Sequence, residues 1–417
     1  MSDTTARKLV HPNGIRVLVE RVPYVDSVSV GVWVVTGSRW EDRHNYGISH
    51  FIEHMLFKGT ERRSAKQIAY EMDSVGAHLN AFTDKEYTCF YVKVLKEHLK
   101  LSLDVLSDMA LHSVLDVAEI EREKNVVLDE IKRHEDTPDD LVHDMFAQKL
   151  WQRHPLGNAV IGTKKTIKAL TRDQLVEYIG TQYTPDNVII SAAGNVDEQE
   201  LMEAVGELFS PLSGVRASNG GTEVHPVKET NIKRKATEQV HFCIGAPGFP
   251  QTSQRKFTLA LMDSILGGGM SSRLFQEIRE SRGLAYAIGS YSASYREAGL
   301  FAVYGGTGAE NFKEVLSLVR AEFANIAKNS VTDAELDRSK NQIRGSLVMG
   351  QESMSNRMSR MAKSEVYFGR IIPLAEIVNE IMAVTKDDVA GVASELFSER
   401  QMALSVIGPI EESEVSE

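Results

Sequence analysis

The sequence predicts an α+β protein of two homologous domains, each a mostly antiparallel sheet with helices packed on one face. Three observations lead to this prediction. The chain has 417 residues, more than a single hydrophobic core usually supports. A small, polar, glycine-containing stretch at 213–222 lies near its middle. Apolar strand-like runs and helix-like stretches recur in the same order on both sides of it, which is typical of α+β domains.

The domain boundaries are placed around this polar stretch. Residues 1–212 are expected to form an N-terminal domain, 213–228 a linker, and 229–417 a C-terminal domain. The alternative is two unrelated α+β domains with similar patterning. The matched order of elements favours duplication.

The first half is predicted to begin with an apolar strand and a helix that leads to a pair of strands. Its predicted elements are a strand at 28–36, a strand pair at 77–83 and 87–95, a helix at 98–111 and a closing strand at 187–196. Thr171 predicts the start of a further helix before the closing strand, because threonine before an acidic residue is a good N-cap.

The second half repeats this order. Its predicted elements are a strand at 240–246, a strand pair at 285–295 and 299–305, a helix at 310–327 and a closing strand at 401–410. Thr385 predicts the start of its last helix, in the position that Thr171 has in the first half.

Composition and charge argue against several classes of protein. The formal net charge is −11, so a general nucleic-acid-binding surface is not expected. No run of about 18 uncharged apolar residues occurs, so no membrane span is expected. Cys89 and Cys243 lie in apolar strand-like runs and are expected to be buried free thiols in a reducing compartment. The N-terminus lacks the apolar region of a secretory signal, which leaves open whether a targeting segment has been removed.

The segment 47–57, GISHFIEHMLF, contains the pattern H-x-x-E-H at His50, Glu53 and His54. Residues four apart on a helix lie above one another, so both imidazoles can bind one metal ion. Glu53 lies beside them, within reach of a metal-bound water. Zinc favours nitrogen ligands and keeps one position open for water in catalytic sites. The alternative is a pair of partly buried core histidines beside an exposed glutamate.

A third ligand is expected from the predicted helix at 119–135. Glu123 and Glu130 are two turns apart and therefore share a face. The apolar residues that flank them are Ile120, Val127 and Ile131 on one side and Val126 on the other. A buried carboxylate is costly unless it is paired or binds a metal, so one glutamate could bind the ion and the other hold a ligand histidine. Without the histidine motif, two salt-bridging glutamates would be the better interpretation.

These residues resemble the inverted zincin motif of the pitrilysin/insulinase family, in particular mitochondrial processing peptidase β-subunits and their bacterial homologues. The resemblance covers nearly the whole chain, including the two-half organisation and a second half without a zinc motif. It implies one zinc ion per chain, with Glu130 as third ligand. It also implies that Glu123 supports a ligand histidine and that Glu53 is the general base.

The segment 76–90, GAHLNAFTDKEYTCF, also matches the family. The resemblance implies that Asn80, Ala81 and Phe82 lie on an exposed edge strand that pairs with substrate backbone. It likewise implies a substrate contact for Phe57, just beyond the histidine motif. From the residues alone, an ordinary hairpin is an equally good interpretation.

The segment 275–286, FQEIRESRGLAY, carries an R-x6-Y pair at Arg279 and Tyr286. The resemblance implies that this pair holds the substrate and its developing oxyanion. Without it, a surface arginine and a core tyrosine would be the better interpretation. The glycine run at 267–269 is not followed by the lysine of a P-loop, which argues against a nucleotide-binding protein.

An acidic run at 135–144 follows the ligand helix. The resemblance to processing peptidases implies that Asp140 and Asp144 hold a substrate arginine, and residues four apart on a helix share a face. The chain departs from the family in having the shorter aspartate at position 140. Alternatively, Thr137 and Pro138 simply start a helix whose first turn favours acidic residues.

The expected function is a zinc-dependent endopeptidase that cleaves extended or unfolded basic peptides inside a chamber, next to arginine. Because the chain resembles half of the long single-chain family members, a homodimer is expected. Neither nucleic acid nor membrane is an expected partner, and the likeness to bacterial homologues predicts a cytoplasmic protein. The alternative is a non-catalytic scaffold or partner subunit of the same fold. Such paralogues should have lost zinc ligands, whereas this chain retains them.

Overall fold

The computed structural model describes residues 6–152, 154–216, 224–398 and 402–411. The chain forms two compact units, and each takes segments from both halves of the sequence. Unit 1 comprises Met1–Ile131, Asn158–Gly221 and Met349–Ile372, and unit 2 comprises Lys132–Gly157, Thr222–Val348 and Pro373–Glu417. The expected linker, 213–228, lies partly outside the described residues, so the boundaries drawn from the sequence stay a prediction.

Unit 1 contains a six-stranded sheet with the order β1-β2-β6-β3-β5-β4. Its strands are β1 (Arg7–Val10), β2 (Arg16–Arg21), β3 (Ser27–Val34), β4 (His78–Thr83), β5 (Thr88–Leu95) and β6 (Val188–Gly194). Neighbouring strands are antiparallel except β2 and β6, which run parallel. The four strands predicted in the first half are confirmed as β3, β4, β5 and β6.

Unit 2 contains a five-stranded sheet with the order β7-β11-β8-β10-β9. Its strands are β7 (Thr230–Arg234), β8 (Val240–Gly248), β9 (Ala285–Ser294), β10 (Gly299–Thr307) and β11 (Ala403–Gly408). The pair β7 and β11 is parallel, and the other pairs are antiparallel. This order repeats β2-β6-β3-β5-β4 of unit 1, which supports duplication over two unrelated domains.

Helices lie between these strands in the chain. Those of the described residues are α1 (Ile48–Leu56), α2 (Ala65–Ser74), α3 (Leu99–His112), α4 (Val117–Asp136), α5 (Pro138–Leu150), α6 (Lys164–Ala169), α7 (Arg172–Gln182), α8 (Glu198–Leu208), α9 (Arg255–Leu266), α10 (Phe312–Asn329), α11 (Asp333–Gly350), α12 (Met354–Phe368), α13 (Leu374–Ala383) and α14 (Lys386–Leu396). Thr171 and Thr385 cap α7 and α14 as predicted, because each hydroxyl accepts a hydrogen bond from the backbone N–H three residues on.

Alternation along the central strand β3 explains the layers of unit 1. Val30 and Val32 point into a core shared with helices such as α1, α3 and α4. Trp33 points to the opposite face, where it packs with Met358 and Met361 of α12. Helices therefore cover one face of the sheet as predicted, and a helix from the C-terminal half of the chain covers the other.

The two cysteines are buried and free, as expected. Cys89 lies on β5 and Cys243 on β8, and burial raises the pKa of both thiols. In the parts of the chain that the structure describes, no helix combines the length and apolar character that a membrane span requires.

Candidate metal centre

Helix α1 carries the H-x-x-E-H motif. Its fully buried residues are Ile48, Phe51, Ile52, Met55 and Leu56. His50, Glu53 and His54 are only partly buried, on the side of the helix that the apolar residues leave free. The apolar spacing therefore fixes which way the three polar side chains point.

The structure brings His50, His54 and Glu130 together. Nε2 of His50 lies 3.9 Å, and Nε2 of His54 lies 3.8 Å, from Oε2 of Glu130. One ligand atom from each residue lies within 4.8 Å of the other two. Two imidazole nitrogens and one carboxylate oxygen are a donor set that catalytic zinc uses.

One unsatisfied atom supports a bound cation. Among the residues that the structure describes, Oε2 of Glu130 is buried and has no hydrogen-bond partner. A buried carboxylate oxygen without a partner is costly, and a metal ion would remove that cost. Burial and, to a lesser degree, the charge of His54 lower the pKa of His50 to about 4, so its imidazole is neutral at pH 7. The residues present fit a zinc ion.

Glu123 holds His54 from behind. Its Oε1 lies 2.8 Å from Nδ1 of His54, and its Oε2 lies 2.6 Å from Nζ of Lys58. Burial raises the pKa of Glu123, but the hydrogen bonds from His54 and Lys58 outweigh burial, and the net pKa is lowered. With Nδ1–H donated to a carboxylate, Nε2 of His54 presents its lone pair toward the metal position.

Glu53 is oriented by a residue of the neighbouring strand. Thr83 at the end of β4 donates a hydrogen bond of 2.5 Å from Oγ1 to Oε2 of Glu53. Burial raises the pKa of Glu53, and the opposing effect of the Thr83 hydrogen bond is smaller. A carboxylate with a raised pKa next to a metal position is suited to accept a proton.

Helix α4 follows the predicted pattern with one difference. Ile120, Val127 and Ile131 are buried, and Glu123 is buried beside them. Val126, which flanks the glutamates on the other side, is 51% exposed, so the buried face of α4 does not extend to it. The side chain of Glu130 is therefore 43% exposed even though its Oε2 is covered.

Asn80, Ala81 and Phe82 lie on β4, which is the last strand in the order of the six-stranded sheet and pairs with β5. The ring of Phe82 packs edge-on against Trp33, with 5.5 Å between centroids. Asn80 is exposed. The edge of β4 that faces away from β5 lies at the end of this sheet, so an extended peptide could add a strand there. Phe82 would contribute to that pairing through its backbone.

A cavity of about 490 Å³ opens beside β4. Phe57 and Asn80 both line it, together with Ile68, Met72 and Tyr91. The structure thus joins two predicted substrate contacts that are far apart in the sequence. The aromatic and aliphatic lining would accept a side chain of an extended peptide.

Arg279 and Tyr286 belong to unit 2. The guanidinium carbon of Arg279 lies 4.6 Å from the centre of the Tyr286 ring, at cation–π distance. Arg279 is in a π-helical segment, Phe275–Ser281, and Tyr286 is the second residue of β9. Tyr286 is 77% exposed, so the interpretation as a core tyrosine was wrong.

Asp140 and Asp144 lie one turn apart on α5, in unit 2. Asp140 is exposed. Oδ2 of Asp144 lies 2.9 Å from Nε2 of His134. The helix begins at Pro138, so the alternative explanation of the acidic run, a helix start with acidic residues in its first turn, holds as well.

Comparison with known proteins gives the family. The family described as "Insulinase (Peptidase family M16)" matches residues 16–164, and "Peptidase M16 inactive domain" matches residues 169–343. An uncharacterized zinc protease of Bacillus subtilis, named YmxG, is 43% identical over 95% of this chain and 97% of its own length. The chain belongs to the insulinase family.

Further proteins are similar over most of this chain. An uncharacterized zinc protease of Streptomyces coelicolor is 38% identical over 99% of this chain and 91% of its own. A protease of Helicobacter pylori has the same fold, with a TM-score of 0.90 at 22% identity over 97% of this chain and all of that one. The structure of a peptidase M16 inactive domain from Pseudomonas fluorescens has a TM-score of 0.91 at 21% identity, over 98% of this chain and 99% of that one.

Sequence reasoning missed two residues of this insulinase-family site. Lys58 pairs with Glu123, and Thr83 orients Glu53. Lys58 follows His54 at a spacing of four, a pattern that could have indicated a shared neighbour. Nothing local indicated Thr83, because its contact joins the end of a strand to a helix of a different segment.

Proposed function

We propose that this insulinase-family member is a zinc-dependent endopeptidase with one zinc ion per chain. One observation carries the proposal: Nε2 of His50 and Nε2 of His54 lie 3.9 Å and 3.8 Å from an oxygen of Glu130 that has no hydrogen-bond partner among the described residues. A scaffold subunit of the same fold would have no need to keep this costly arrangement.

The residues around the ligands support the chemistry. When bound, zinc polarises a peptide carbonyl and makes water a better nucleophile at neutral pH. Glu53 takes a proton from the attacking water and later gives it to the leaving amine. Thr83 holds Oε2 of Glu53 and leaves Oε1 for the proton. Tyr286, steadied by the Arg279 guanidinium at 4.6 Å, is assigned to the developing oxyanion.

The substrates are proposed to be extended, unfolded and basic peptides. The edge of β4 can pair only with extended backbone, which supports this choice. The cavity beside Asn80 and Phe57 would take one substrate side chain. Asp140 and Asp144, on one face of α5, are assigned to a substrate arginine near the cleaved bond.

The assembly is proposed to be a homodimer that encloses a chamber, with Arg279 and Tyr286 serving the site of the partner subunit. The cytoplasm is the proposed location, supported by two free, buried cysteines and by the bacterial relatives.

The proposal is tested by metal content and cleavage of a peptide library followed by mass spectrometry. Wild-type protein should hold one zinc ion, lose activity to a chelator and regain it with zinc. Glu53→Gln should keep the metal and lose turnover, because a carboxamide cannot accept the proton. Glu61→Gln, an exposed change just beyond the motif, is the matched control and should stay active. Stoichiometric zinc in a His50→Ala/His54→Ala variant would contradict the assignment of these histidines as zinc ligands.

A further inference from the structure

Glu41 is a buried carboxylate that takes no part in the proposed chemistry. It is 4% exposed and lies in the loop before α1. The backbone N–H of Gly47 donates to its Oε2 at 2.7 Å, and the backbone N–H of Ser49 donates to its Oε1 at 2.9 Å. Both carboxylate oxygens are therefore bound to the start of the helix that carries His50.

The N-cap residue of this helix cannot supply the cap itself. The first turn of a helix leaves backbone N–H groups without partners, and the side chain of the N-cap residue usually accepts from one of them. Here the N-cap is Gly47, at φ 92°, with no side chain to accept. A Cβ at this position would come within 2.8 Å of Gly162 Cα and of the Ile161 carbonyl oxygen. Glycine is required by this close approach, so the cap must come from elsewhere.

A second hydrogen-bonded arm reaches the same turn. The hydroxyl of Ser49 lies 2.8 Å from that of Tyr178, which lies 2.9 Å from Oγ1 of Thr36. Burial raises the pKa of Glu41 to about 7 despite its hydrogen bonds and the nearby charge of Lys85. Burying a carboxylate in this environment costs free energy, and the hydrogen bonds from two backbone N–H groups offset part of that cost. Both arms converge on Ser49, the residue before the ligand His50.

We propose that Glu41 is a positioning residue, whose carboxylate holds the first turn of α1 and thereby the direction in which His50 and Glu53 point. The inference rests on the proposed zinc peptidase function. Helix α1 has nine residues, so a shift of its first turn is passed directly to His50. A glutamine at position 41 could accept from only one of the two N–H groups, and its own amide N–H would face the other.

The test compares Glu41→Gln with Glu20→Gln. Glu20 is a matched control because it is also buried, at 2% exposed, in unit 1, and its partners are Arg357 and Arg360 rather than α1. Each variant is measured for zinc content, the visible absorption of the cobalt-substituted protein, kcat and KM on one peptide, and thermal unfolding. Cobalt absorption reports ligand geometry independently of turnover.

Glu41→Gln is expected to lower kcat about ten-fold with KM within about two-fold, since small misplacements of catalytic groups have large effects on rate. Its cobalt band should shift or weaken, whereas Glu20→Gln should lower the unfolding temperature and leave the band and kcat unchanged. Should Glu41→Gln fail to fold, Glu41→Asp replaces it in the test, because aspartate keeps the charge but is one methylene shorter. It should show the same loss of kcat at nearly unchanged KM and the same change in the cobalt band.

Two outcomes separate the hypotheses. If wild-type protein is an active zinc enzyme and the Glu41 variants keep its cobalt spectrum and kcat, the positioning role is wrong and the proposed function stands. If wild-type protein binds no stoichiometric zinc, the proposed function itself fails, and this inference with it.

Discussion

His54 depends on the residues behind it as much as on its own place in the motif. Glu123 lies 2.8 Å from its Nδ1 and is itself paired with Lys58 at 2.6 Å. The hydrogen bond to Glu123 raises the pKa of His54, with burial opposing it. The carboxylate therefore selects the tautomer in which Nε2 presents its lone pair to the metal position. A substitution of Glu123 should consequently change the affinity for the metal.

Glu123→Gln is expected to weaken zinc binding about 10-fold to 100-fold, because a neutral amide is a poorer acceptor for the Nδ1–H of His54. Competition with a chromophoric chelator measures the affinity. Glu121→Gln, an exposed change on the same helix, is the control and should bind zinc as the wild type does. Equal affinity in both variants would show that Glu123 has only a structural role.

Asp140 and Asp144 give a second prediction for single residues. Wild-type protein should cleave peptides with arginine two residues before the scissile bond faster than peptides with norleucine there. Asp140→Asn with Asp144→Asn should reduce this ratio about ten-fold, since a charge-assisted hydrogen bond pair is lost. Asp139→Asn, exposed in the same turn, is the control. An unchanged ratio in the double variant means that these aspartates do not recognise arginine.

Helix α11 is joined to another segment of unit 2 by the ion pair of Glu335 and Arg273. Glu335 in its first turn accepts hydrogen bonds from Arg273 at 2.7 Å and 2.9 Å and from the backbone of Thr332 at 2.8 Å. The Arg273 hydrogen bond is the largest effect, and together these contacts lower the pKa of Glu335 to about 2. A carboxyl whose pKa is lower in the folded protein stabilises the fold at pH values above its unfolded pKa of 4.5. This contribution is lost as the pH falls toward 2.

Glu335→Gln should therefore lower the free energy of unfolding at pH 7 and flatten its dependence on pH between 4.5 and about 2. Because the group is partly solvated, the loss should be about 1 kcal/mol after screening. Urea unfolding at pH 7 and at acid pH measures it, with Asp337→Asn as the exposed control on the same helix. A Glu335 variant whose pH dependence matches the wild type contradicts the assignment.

At the scale of the whole molecule, each unit takes one segment from the other half of the sequence. Unit 1 includes Met349–Ile372 from the C-terminal half, and unit 2 includes Lys132–Gly157 from the N-terminal half. Helix α12 covers Trp33 on the face of the six-stranded sheet away from α1, and Nε1 of Trp33 lies 3.2 Å from Sδ of Met358. Neither half of the sequence contains all of the core of one unit.

A fragment of residues 1–216 should consequently fail to fold cooperatively, because the apolar face under α12 would be exposed to water. Near-UV circular dichroism and limited proteolysis are the measurements. Adding a synthetic peptide of residues 349–372 should restore protection, and a scrambled peptide should not. Cooperative unfolding of the fragment alone would contradict the dependence on α12.

The proposed homodimer makes a prediction for mixed proteins. Glu53→Gln and Tyr286→Phe should each be inactive, and a mixture of the two should regain about a quarter of the wild-type activity through heterodimers with one intact site, if subunits exchange at random. Each variant mixed with wild-type protein is the control for simple dilution. An active protein that sediments strictly as a monomer would rule out the shared site.

The elements and the metal motif followed from the sequence because they depend on neighbours along the chain. Apolar spacing gave β3, β5, β8 and β10 nearly to their ends, and threonines marked the starts of α7 and α14. The spacing of His50 and His54 is a local property of one helix turn. The third ligand, Glu130, needed the buried face of a second helix and a family resemblance.

Only the tertiary structure decided which groups meet outside the periodic spacing of helices and strands. Thr83 reaches Glu53, Glu41 caps α1, and α12 joins unit 1, and none of these contacts has a periodic pattern in the sequence. Val126 shows the limit in the other direction, since it flanks the two glutamates on helix α4 and is nevertheless 51% exposed. Periodicity determines which face of an element is apolar, whereas burial and long-range hydrogen bonds depend on which elements the folded chain places against that face.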